Sequence, residues 1–382
     1  MGPENKIFCA APFAALRIET NNHGITYKPG CVYLPQNKIS SLEEFMNGSE
    51  MTEHRTNLCN GSVPSPGCAR CRDTEKLGLT STRQHLNKKL PLSDTVDIKL
   101  LDIMYSNICN LSCFMCNPES SSAISSERST IGLIEKPVPF FDNSNYAIQA
   151  IDSLPSLAKV DLIGGEFFLF KQNQMILDKI VERNLACRII TNATIVSDAV
   201  IQRLQNIENL ELEVSVDGVR DCYEFMRYPA NWATTSDNIH KLRQALPNAK
   251  MKFVMVVQPL NIQHIVDTLE TLNTFRLATH FQDLSTPKYL SWSILTEQEK
   301  TDLDTLVRNQ LPNAKITSKQ RLEIESTLSA ISNSVHNGQL RHMAIDFLVK
   351  TLKHRNIKPA IISRQFGIFE SFTTQLLSGY HA

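Results

Sequence analysis

Short apolar segments alternate with amphipathic segments through the middle of this chain. The apolar segments at 98–104, 160–163, 188–190, 210–216 and 252–257 are typical of buried strands. Between them, the segments at 144–153, 173–183, 196–206, 236–245 and 262–274 have a helical pattern. Strands that alternate with helices predict a parallel sheet, either open and doubly wound or closed into a partial or full barrel. We therefore expect the chemistry at the carboxyl ends of the strands.

The two ends of the chain differ from this central region. Residues 1–90 are rich in Gly, Pro, Asn and Ser and predict a small, loop-rich module. A core of that size is too small to be stable unaided, so we expect its cysteines to hold a metal centre that helps it fold. Residues 296–382 have a helical pattern without a recognisable motif. The prediction is thus three regions, 1–90, 91–295 and 296–382.

Composition and charge exclude several classes of protein. The chain has 382 residues, of which 42% are hydrophobic, and it carries 39 basic and 39 acidic residues. A neutral, ordinary globular composition gives no reason to expect a nucleic-acid or membrane partner. No apolar run approaches the roughly 20 residues that span a bilayer, and the N-terminus lacks the pattern of a signal peptide. We expect a cytoplasmic protein.

The ten cysteines are clustered. Five lie between Cys9 and Cys71, three lie between Cys109 and Cys116, and two stand alone. In a cytosolic chain of this length, clustered cysteines more often bind metal or carry out redox chemistry than form disulfides.

The most informative cluster is Cys109, Cys113 and Cys116, spaced C-x3-C-x2-C directly after the first apolar strand. Three thiolates on one loop can hold three irons of a four-iron cluster and leave the fourth iron open to a small molecule. The alternatives are a zinc site or a group of buried thiols. A structural zinc site would need a fourth ligand, and no Cys or His occurs in the next 30 residues.

This spacing, after the first strand of an alternating strand–helix domain, resembles the radical S-adenosylmethionine (radical SAM) superfamily. The resemblance implies an α/β fold with a partial (β/α)6 TIM-like barrel. It also implies that the three cysteines ligate a 4Fe-4S cluster whose open iron binds S-adenosyl-L-methionine (SAM). Reductive cleavage of SAM would then give a 5'-deoxyadenosyl radical that abstracts hydrogen from a substrate, with a reductase or flavodoxin-type protein as electron donor.

Gly164-Gly165-Glu166 follows the next apolar strand and resembles the family motif that binds the SAM amino group. The two glycines permit close backbone approach, and Glu166 can accept from a cationic amine. The common form of this motif continues with proline, whereas this chain has Phe167.

Further polar residues follow the next two strands, at Thr191-Asn192 and at Ser215 and Asp217. By resemblance they would hold the ribose or carboxylate of SAM; the alternative is helix capping and turn formation. Arg227 resembles an arginine that could pair with the SAM carboxylate, or it is an exposed surface residue.

The N-terminal module resembles the Twitch or SPASM-like auxiliary-cluster modules, through Phe8 to Phe13, Gly30-Cys31, Met51, Arg55, Gly67 to Cys71 and the linker residues Glu75, Ser81 and Arg83. Carried over, the resemblance implies a second 4Fe-4S cluster on Cys9, Cys31, Cys68 and Cys71. A four-cysteine zinc site is the alternative. Cys59 is left over, and we expect Cys187 and Cys222 to be buried core residues.

These features lead to three functional hypotheses. The first is a radical SAM enzyme that modifies a peptide or protein side chain, by oxidative cross-linking, epimerisation or another C–H functionalisation, with the auxiliary cluster relaying electrons. The second is the same chemistry on a small molecule such as a sugar, nucleotide or amino-acid-derived metabolite. The third is a non-catalytic iron-sulfur or zinc-binding protein.

Overall fold

The computed structural model describes residues 7–21, 24–31, 33, 35–62, 66–76, 78, 80–284 and 286–381. The strands in this part of the chain are β1 (Ala15–Asn21), β2 (Gly24–Pro29), β3 (Leu100–Met104), β4 (Lys159–Ile163), β5 (Ala186–Thr191), β6 (Leu210–Ser215), β7 (Lys250–Val257) and β8 (Ala278–Asp283).

The helices fall into three groups along the chain. The first group is α1 (Ala11–Ala14), α2 (Leu42–Asn47), α3 (Ser49–Cys59), α4 (Ala69–Lys76) and α5 (Thr82–Asn87). The central group is α6 (Ser122–Thr130), α7 (Ser144–Asp152), α8 (Asn173–Glu182), α9 (Asp198–Leu204), α10 (Arg220–Met226), α11 (Trp232–Ala245) and α12 (Ile265–Asn273). The last group is α13 (Glu297–Gln310), α14 (Ser318–Ser332), α15 (Gly338–His354), α16 (Pro359–Phe366) and α17 (Glu370–His381).

Short 3-10 helices lie at Pro66–Cys68, Phe167–Leu169, Ile262–His264, Lys288–Leu290, Trp292–Ile294 and Leu311–Asn313. None of the helices described is both long and apolar enough to cross a membrane.

The eight described strands form one sheet in the order β2-β1-β3-β4-β5-β6-β7-β8. β1 pairs antiparallel with β2, while β1 with β3, β3 with β4, β4 with β5 and β7 with β8 are parallel. The predicted α/β class is therefore confirmed. The five strands predicted in the central region are present as β3 to β7 and the intervening helices as α7, α8, α9, α11 and α12, with boundaries shifted by a few residues.

The chain divides into two compact units. The first comprises residues 1–108, 140–190 and 197–211, and the second comprises residues 109–139, 191–196 and 212–382. The boundaries drawn from sequence, 1–90, 91–295 and 296–382, remain a prediction.

In the first unit, the N-terminal module is more helical than its composition indicates. Four helices, α2 to α5, occupy a region where Gly, Pro and Asn predict loops. Buried Arg55 donates Nε to Pro12 O at 2.9 Å, Nη1 to Met46 O at 2.7 Å and Nη2 to Phe45 O at 2.9 Å. One guanidinium thus joins α3 to the end of α2 and to α1, and it supplies donors for carbonyl groups that the short helices leave unpaired.

In the second unit, the predicted helical C-terminal region is confirmed as α13 to α17. Thr296 begins α13 with a capping box in which the Glu299 side chain bonds back to the cap backbone. Glu299 is buried and also pairs with Arg341 of α15 at 2.7 Å. These helices pack on one apolar core with α10 and α12, so the tail is an integral part of the second unit.

Candidate functional site

The predicted cluster loop lies between β3 and α6, and its three cysteines belong to the second unit. Cys113 is buried, and Cys109 and Cys116 are half-buried. Two backbone bonds hold the loop against the end of α10 and the residues just after it: Phe114 N donates to Met226 O at 3.2 Å, and Ser112 N donates to Tyr228 O at 2.7 Å. A buried loop needs such partners for its polar groups, so its position is fixed by residues more than 100 positions away.

Burial dominates the protonation of Cys113 and Cys116. It raises the pKa of Cys113 and of Cys116 to about 12, while the nearby Arg227 guanidinium partly opposes the shift. The protonated form of a buried thiol avoids the cost of an unpaired buried charge. Metal binding replaces that proton, because the thiolate is the form that ligates metal.

Arg227 lies beside the loop. Its Nη1 is 3.9 Å from the Sγ of Cys113, and its Nη2 pairs with the Oδ2 of Asp217 at 2.6 Å. Asp217 in turn accepts a bond from Val256 N at 2.7 Å. Both members of the pair are buried, so the exposed-surface alternative for Arg227 is wrong. Within the described residues, the buried Nε of Arg227 has no hydrogen-bond partner, which fits a site that receives an anionic group.

Asn192 is bonded to the same loop. Its Nδ2 donates to Asn110 Oδ1 at 3.1 Å, and Asn110 Nδ2 donates to Thr194 Oγ1 at 3.0 Å. Thr191 and Ser215 are the last residues of β5 and β6. Within the second unit, the residue that follows β5 is therefore hydrogen-bonded to the residue that follows Cys109. Ser215 ends β6, and Asp217 follows two residues later. Their contacts with SAM remain predictions.

Gly164, Gly165 and Glu166 lie in the first unit, directly after β4. Gly164 has φ +94°, and a Cβ there would lie 2.6 Å from Ser106 O. Gly165 has φ +56°, and a Cβ there would lie 2.4 Å from Ile108 O. Glu166 N donates to Ile108 O at 2.8 Å. The backbone of residues 106–108, which immediately precede Cys109 in sequence, comes so close to these two positions that a side chain at either one would clash with it. Both positions therefore require glycine.

Glu166 is 2% exposed, and its Oε1 accepts a bond from Phe168 N at 3.0 Å. This bond caps the short 3-10 helix Phe167–Leu169. Phe167, which stands where the family commonly has proline, is buried as the first residue of that helix. The carboxylate is therefore oriented by the backbone that follows it.

The four cysteines predicted to hold an auxiliary cluster, Cys9, Cys31, Cys68 and Cys71, line one cavity of about 180 Å³ in the first unit. Burial raises the pKa of Cys9 to about 12 and of Cys68 to about 11, and it raises that of Cys31 further. Cys59 is absent from the lining. An engineered cavity of about 150 Å³ holds a benzene molecule, so the space fits a compact group, and four thiols are a donor set for iron or zinc.

Arg83, Glu75 and Ser81 form a network beside this cavity. Arg83 Nη2 lies 2.5 Å from Glu75 Oε2, and Ser81 Oγ donates to Glu75 Oε1 at 2.5 Å. Arg83 Nη1 donates to Phe8 O at 3.0 Å, next to Cys9 in sequence. The linker residues that carried the resemblance thus hold the segment before Cys9. A hydrogen bond from the Ala11 backbone and, to a smaller extent, the Arg83 charge lower the pKa of Cys9 against the effect of burial.

The remaining cysteines behave as expected for core residues. Cys187 is 0% exposed in β5, and Cys222 is 5% exposed in α10. Across the described residues, no group of three or more His, Cys, Asp or Glu side chains has the arrangement that would hold a single metal ion, whereas the cysteines of a four-iron cluster each bind a different iron.

Sequence reasoning missed two arginines that hold the cluster loop. Arg128 Nη2 donates to Cys116 O at 2.7 Å. Arg355, from the end of α15, donates Nη2 to Ser112 O and pairs with the Glu127 carboxylate through two contacts of 2.7 Å. Its guanidinium also lies over the ring of Phe114, 4.5 Å from the centroid. No local pattern marks Arg355, because its partners are more than 200 residues away in sequence.

Residues 103–272 match the family model described as the radical SAM superfamily. No curated protein matches the chain.

Solved structures similar to this chain include native anSMEcpe with bound AdoMet, at 16% identity and a TM-score of 0.39, covering 66% of each chain. Streptococcus suis SuiB bound to precursor peptide SuiA has 11% identity and a TM-score of 0.42, covering 81% of this chain and 71% of that one. The radical S-adenosylmethionine methyltransferase TsrM from Kitasatospora setae has 12% identity and a TM-score of 0.36, covering 48% and 36%. The alignment spans slightly less than two thirds of the anSMEcpe chain.

Replacing Gly165 tests the close approach behind the Gly-Gly-Glu motif. We expect Gly165→Ala to lower the free energy of unfolding by about 2–5 kcal/mol, because the methyl group meets the Ile108 backbone and the left-handed φ disfavours a side chain. Gly132→Ala is the matched control, since Gly132 has φ +69° and an added Cβ there would have no neighbour within 4 Å. It should cost only about 1–2 kcal/mol. Equal losses in urea unfolding of the two metal-free variants would contradict the steric argument.

Replacing Arg355 tests how the cluster loop is held. We expect Arg355→Met to lower the free energy of unfolding of the metal-free protein by about 3–5 kcal/mol, because Glu127 and Ser112 O lose a buried partner. Arg355→Lys should recover only part of this loss, since an ammonium cannot make the two-pronged contact. The control is the exposed Lys353→Met, expected within about 0.5 kcal/mol of the parent protein. A loss no greater than that of the control would show that Arg355 does not hold the cluster loop.

Proposed function

We propose that this chain, which carries a radical SAM domain over residues 103–272, is an enzyme that binds a 4Fe-4S cluster through Cys109, Cys113 and Cys116. The observation that carries the proposal is the set of three thiols on one loop of that domain, which is held by backbone bonds to Met226 at the end of α10 and to Tyr228. With SAM bound, such a cluster supplies the electron that cleaves the sulfonium to a 5'-deoxyadenosyl radical, which abstracts hydrogen from a substrate.

We propose that residues of the second unit orient SAM and offset part of the negative charge of the three thiolates. Three thiolates bring negative charge into a buried site, and the Arg227 guanidinium, 3.9 Å from Cys113 Sγ, offsets part of it. Asp217 fixes the direction of that guanidinium. We propose that the unpaired Nε side of Arg227 faces the SAM carboxylate, and that Thr191, Asn192 and Ser215 contribute polar contacts to SAM.

In the first unit, we propose that Gly164 and Gly165 allow the backbone to come close to SAM and that the Glu166 carboxylate accepts from its amino group. The support is twofold. The φ angles of both glycines and their contact with residues 106–108 require the absence of side chains. Glu166 is buried and already oriented through Phe168 N, which reduces the ordering cost of binding a cation.

We also propose that Cys9, Cys31, Cys68 and Cys71 hold a second 4Fe-4S cluster that relays electrons. The four thiols line one cavity of about 180 Å³, and the Arg83 guanidinium reduces the cost of ionising Cys9. With four thiolates, no iron of such a cluster is open to substrate, which suits an electron relay.

The proposed substrate is a peptide or protein side chain, and the support is the resemblance of residues 7–83 to auxiliary-cluster modules of peptide-maturing enzymes. We place the reaction in the cytoplasm, where thiols stay reduced, with a reductase or flavodoxin-type protein as electron donor. Oxidative cross-linking, epimerisation and other C–H functionalisation all fit a second cluster that accepts or relays an electron.

Metal analysis and SAM cleavage together test the proposal. We expect about eight irons and an equal amount of sulfide per chain in the anaerobically prepared protein. The Cys109→Ala, Cys113→Ala and Cys116→Ala triple variant should fall to about four irons and lose formation of 5'-deoxyadenosine after reduction. The Cys68→Ala and Cys71→Ala double variant should also lose about four irons, but from the other cluster.

Cys59→Ala is the matched control, since this cysteine lies outside both proposed ligand sets. It should keep the parental iron content and the parental yield of 5'-deoxyadenosine. Zinc in place of the second four irons would contradict the auxiliary cluster alone. A parent protein without iron and without SAM cleavage would contradict the proposed function as a whole.

A further inference from the structure

A histidine lies at the cavity of the four N-terminal cysteines. His54, in the middle of α3, lines this cavity together with Cys9, Cys31, Cys68 and Cys71. It is 3% exposed. Both of its ring nitrogens, Nδ1 and Nε2, lack a hydrogen-bond partner among the described residues.

An imidazole in this state has an energetic cost. Leaving a buried polar group unpaired is unfavourable, so buried polar atoms almost always have partners. Burial also lowers the pKa of His54 to about 4, and the neutral ring carries one N–H donor and one acceptor nitrogen. His54 lines two cavities, that of the four cysteines and a polar one that Glu50, Glu53 and Asn57 also line. In the first, a group that accepts a hydrogen bond from the ring N–H would remove part of this cost.

The orientation of the ring is set by Tyr33. The two rings are in contact, with their centroids 4.1 Å apart and their planes tilted by 30°. The backbone N of Tyr33 lies 3.4 Å from Cys31 Sγ and donates to it. The residue that packs against His54 thus also bonds to one of the four thiols, so the imidazole is held near the proposed ligand set.

We propose that His54 donates its ring N–H to a sulfur of the iron-sulfur cluster held by Cys9, Cys31, Cys68 and Cys71. This inference rests on the auxiliary cluster of the proposed function. Four thiolates already satisfy four irons, so the imidazole acts as a hydrogen-bond donor and not as a fifth ligand.

A donor in this position favours the reduced cluster. Reduction adds negative charge to the sulfur atoms, and a hydrogen bond to a more negative acceptor is stronger. Hydrogen bonds to sulfur are among the factors that set the potential of such clusters. His54 therefore raises the reduction potential of the auxiliary cluster.

The test uses the full chain with Cys109, Cys113 and Cys116 replaced by alanine, so that only the auxiliary cluster is present. In this background, we expect His54→Phe to keep the iron content and lower the reduction potential measured by titration with electron paramagnetic resonance. His54→Gln, which retains an N–H donor, should return the potential towards the parental value. An unchanged potential in a His54→Phe variant that has kept its iron would overturn the inference.

A second measurement needs no substitution at His54. With 15N-labelled histidine in the same background, pulsed electron paramagnetic resonance should detect a weak nitrogen coupling to the reduced cluster, as expected for a hydrogen-bonded imidazole. Strong coupling from a directly bound nitrogen, or no coupling, would overturn the donor role while leaving the auxiliary cluster in place. Absence of iron from this background would instead contradict the auxiliary cluster of the proposed function, and the inference with it.

Discussion

The Cys109–Cys116 loop must be buried and yet have its polar backbone groups paired, and this constraint organises the second unit. Ser112 and Phe114 bond to the backbone of Tyr228 and of Met226, at the end of α10, while Arg128 and Arg355 supply donors for loop carbonyls from α6 and from the end of α15. A loop without regular structure gains a single conformation only through such partners. The C-terminal helices therefore contribute to the proposed metal site by holding its loop.

Both cysteine sets have the same electrostatic arrangement. At the central loop, Arg227 lies near Cys113 and is held by Asp217. At the N-terminal cavity, Arg83 acts on Cys9 and is held by Glu75. A carboxylate fixes the guanidinium, and the guanidinium in turn lowers the cost of thiolate formation in a buried site. Each thiol set thus has a fixed cation nearby before any metal binds.

Those features of the fold and of the candidate site that depend on local sequence patterns could be predicted from the sequence. Alternating apolar and amphipathic segments predicted β3 to β7, and cysteine spacing selected the central loop. The N-terminal helices were missed because Gly, Pro, Asn and Ser are frequent there, although Ser81-x-x-Gln84, a capping box in the structure, is a recognisable start for α5. Arg355 and His54 could not be found in this way, because their importance depends on partners and burial that only the folded chain creates.

The central claim is that two separate cysteine sets each hold iron, and the most direct test locates the metal itself. We would collect anomalous diffraction at the iron absorption edge from an anaerobically grown crystal. The account predicts two anomalous peaks, one within bonding distance of Cys109, Cys113 and Cys116 and the other within the cavity of Cys9, Cys31, Cys68 and Cys71. Absence of iron from either cysteine set would contradict it.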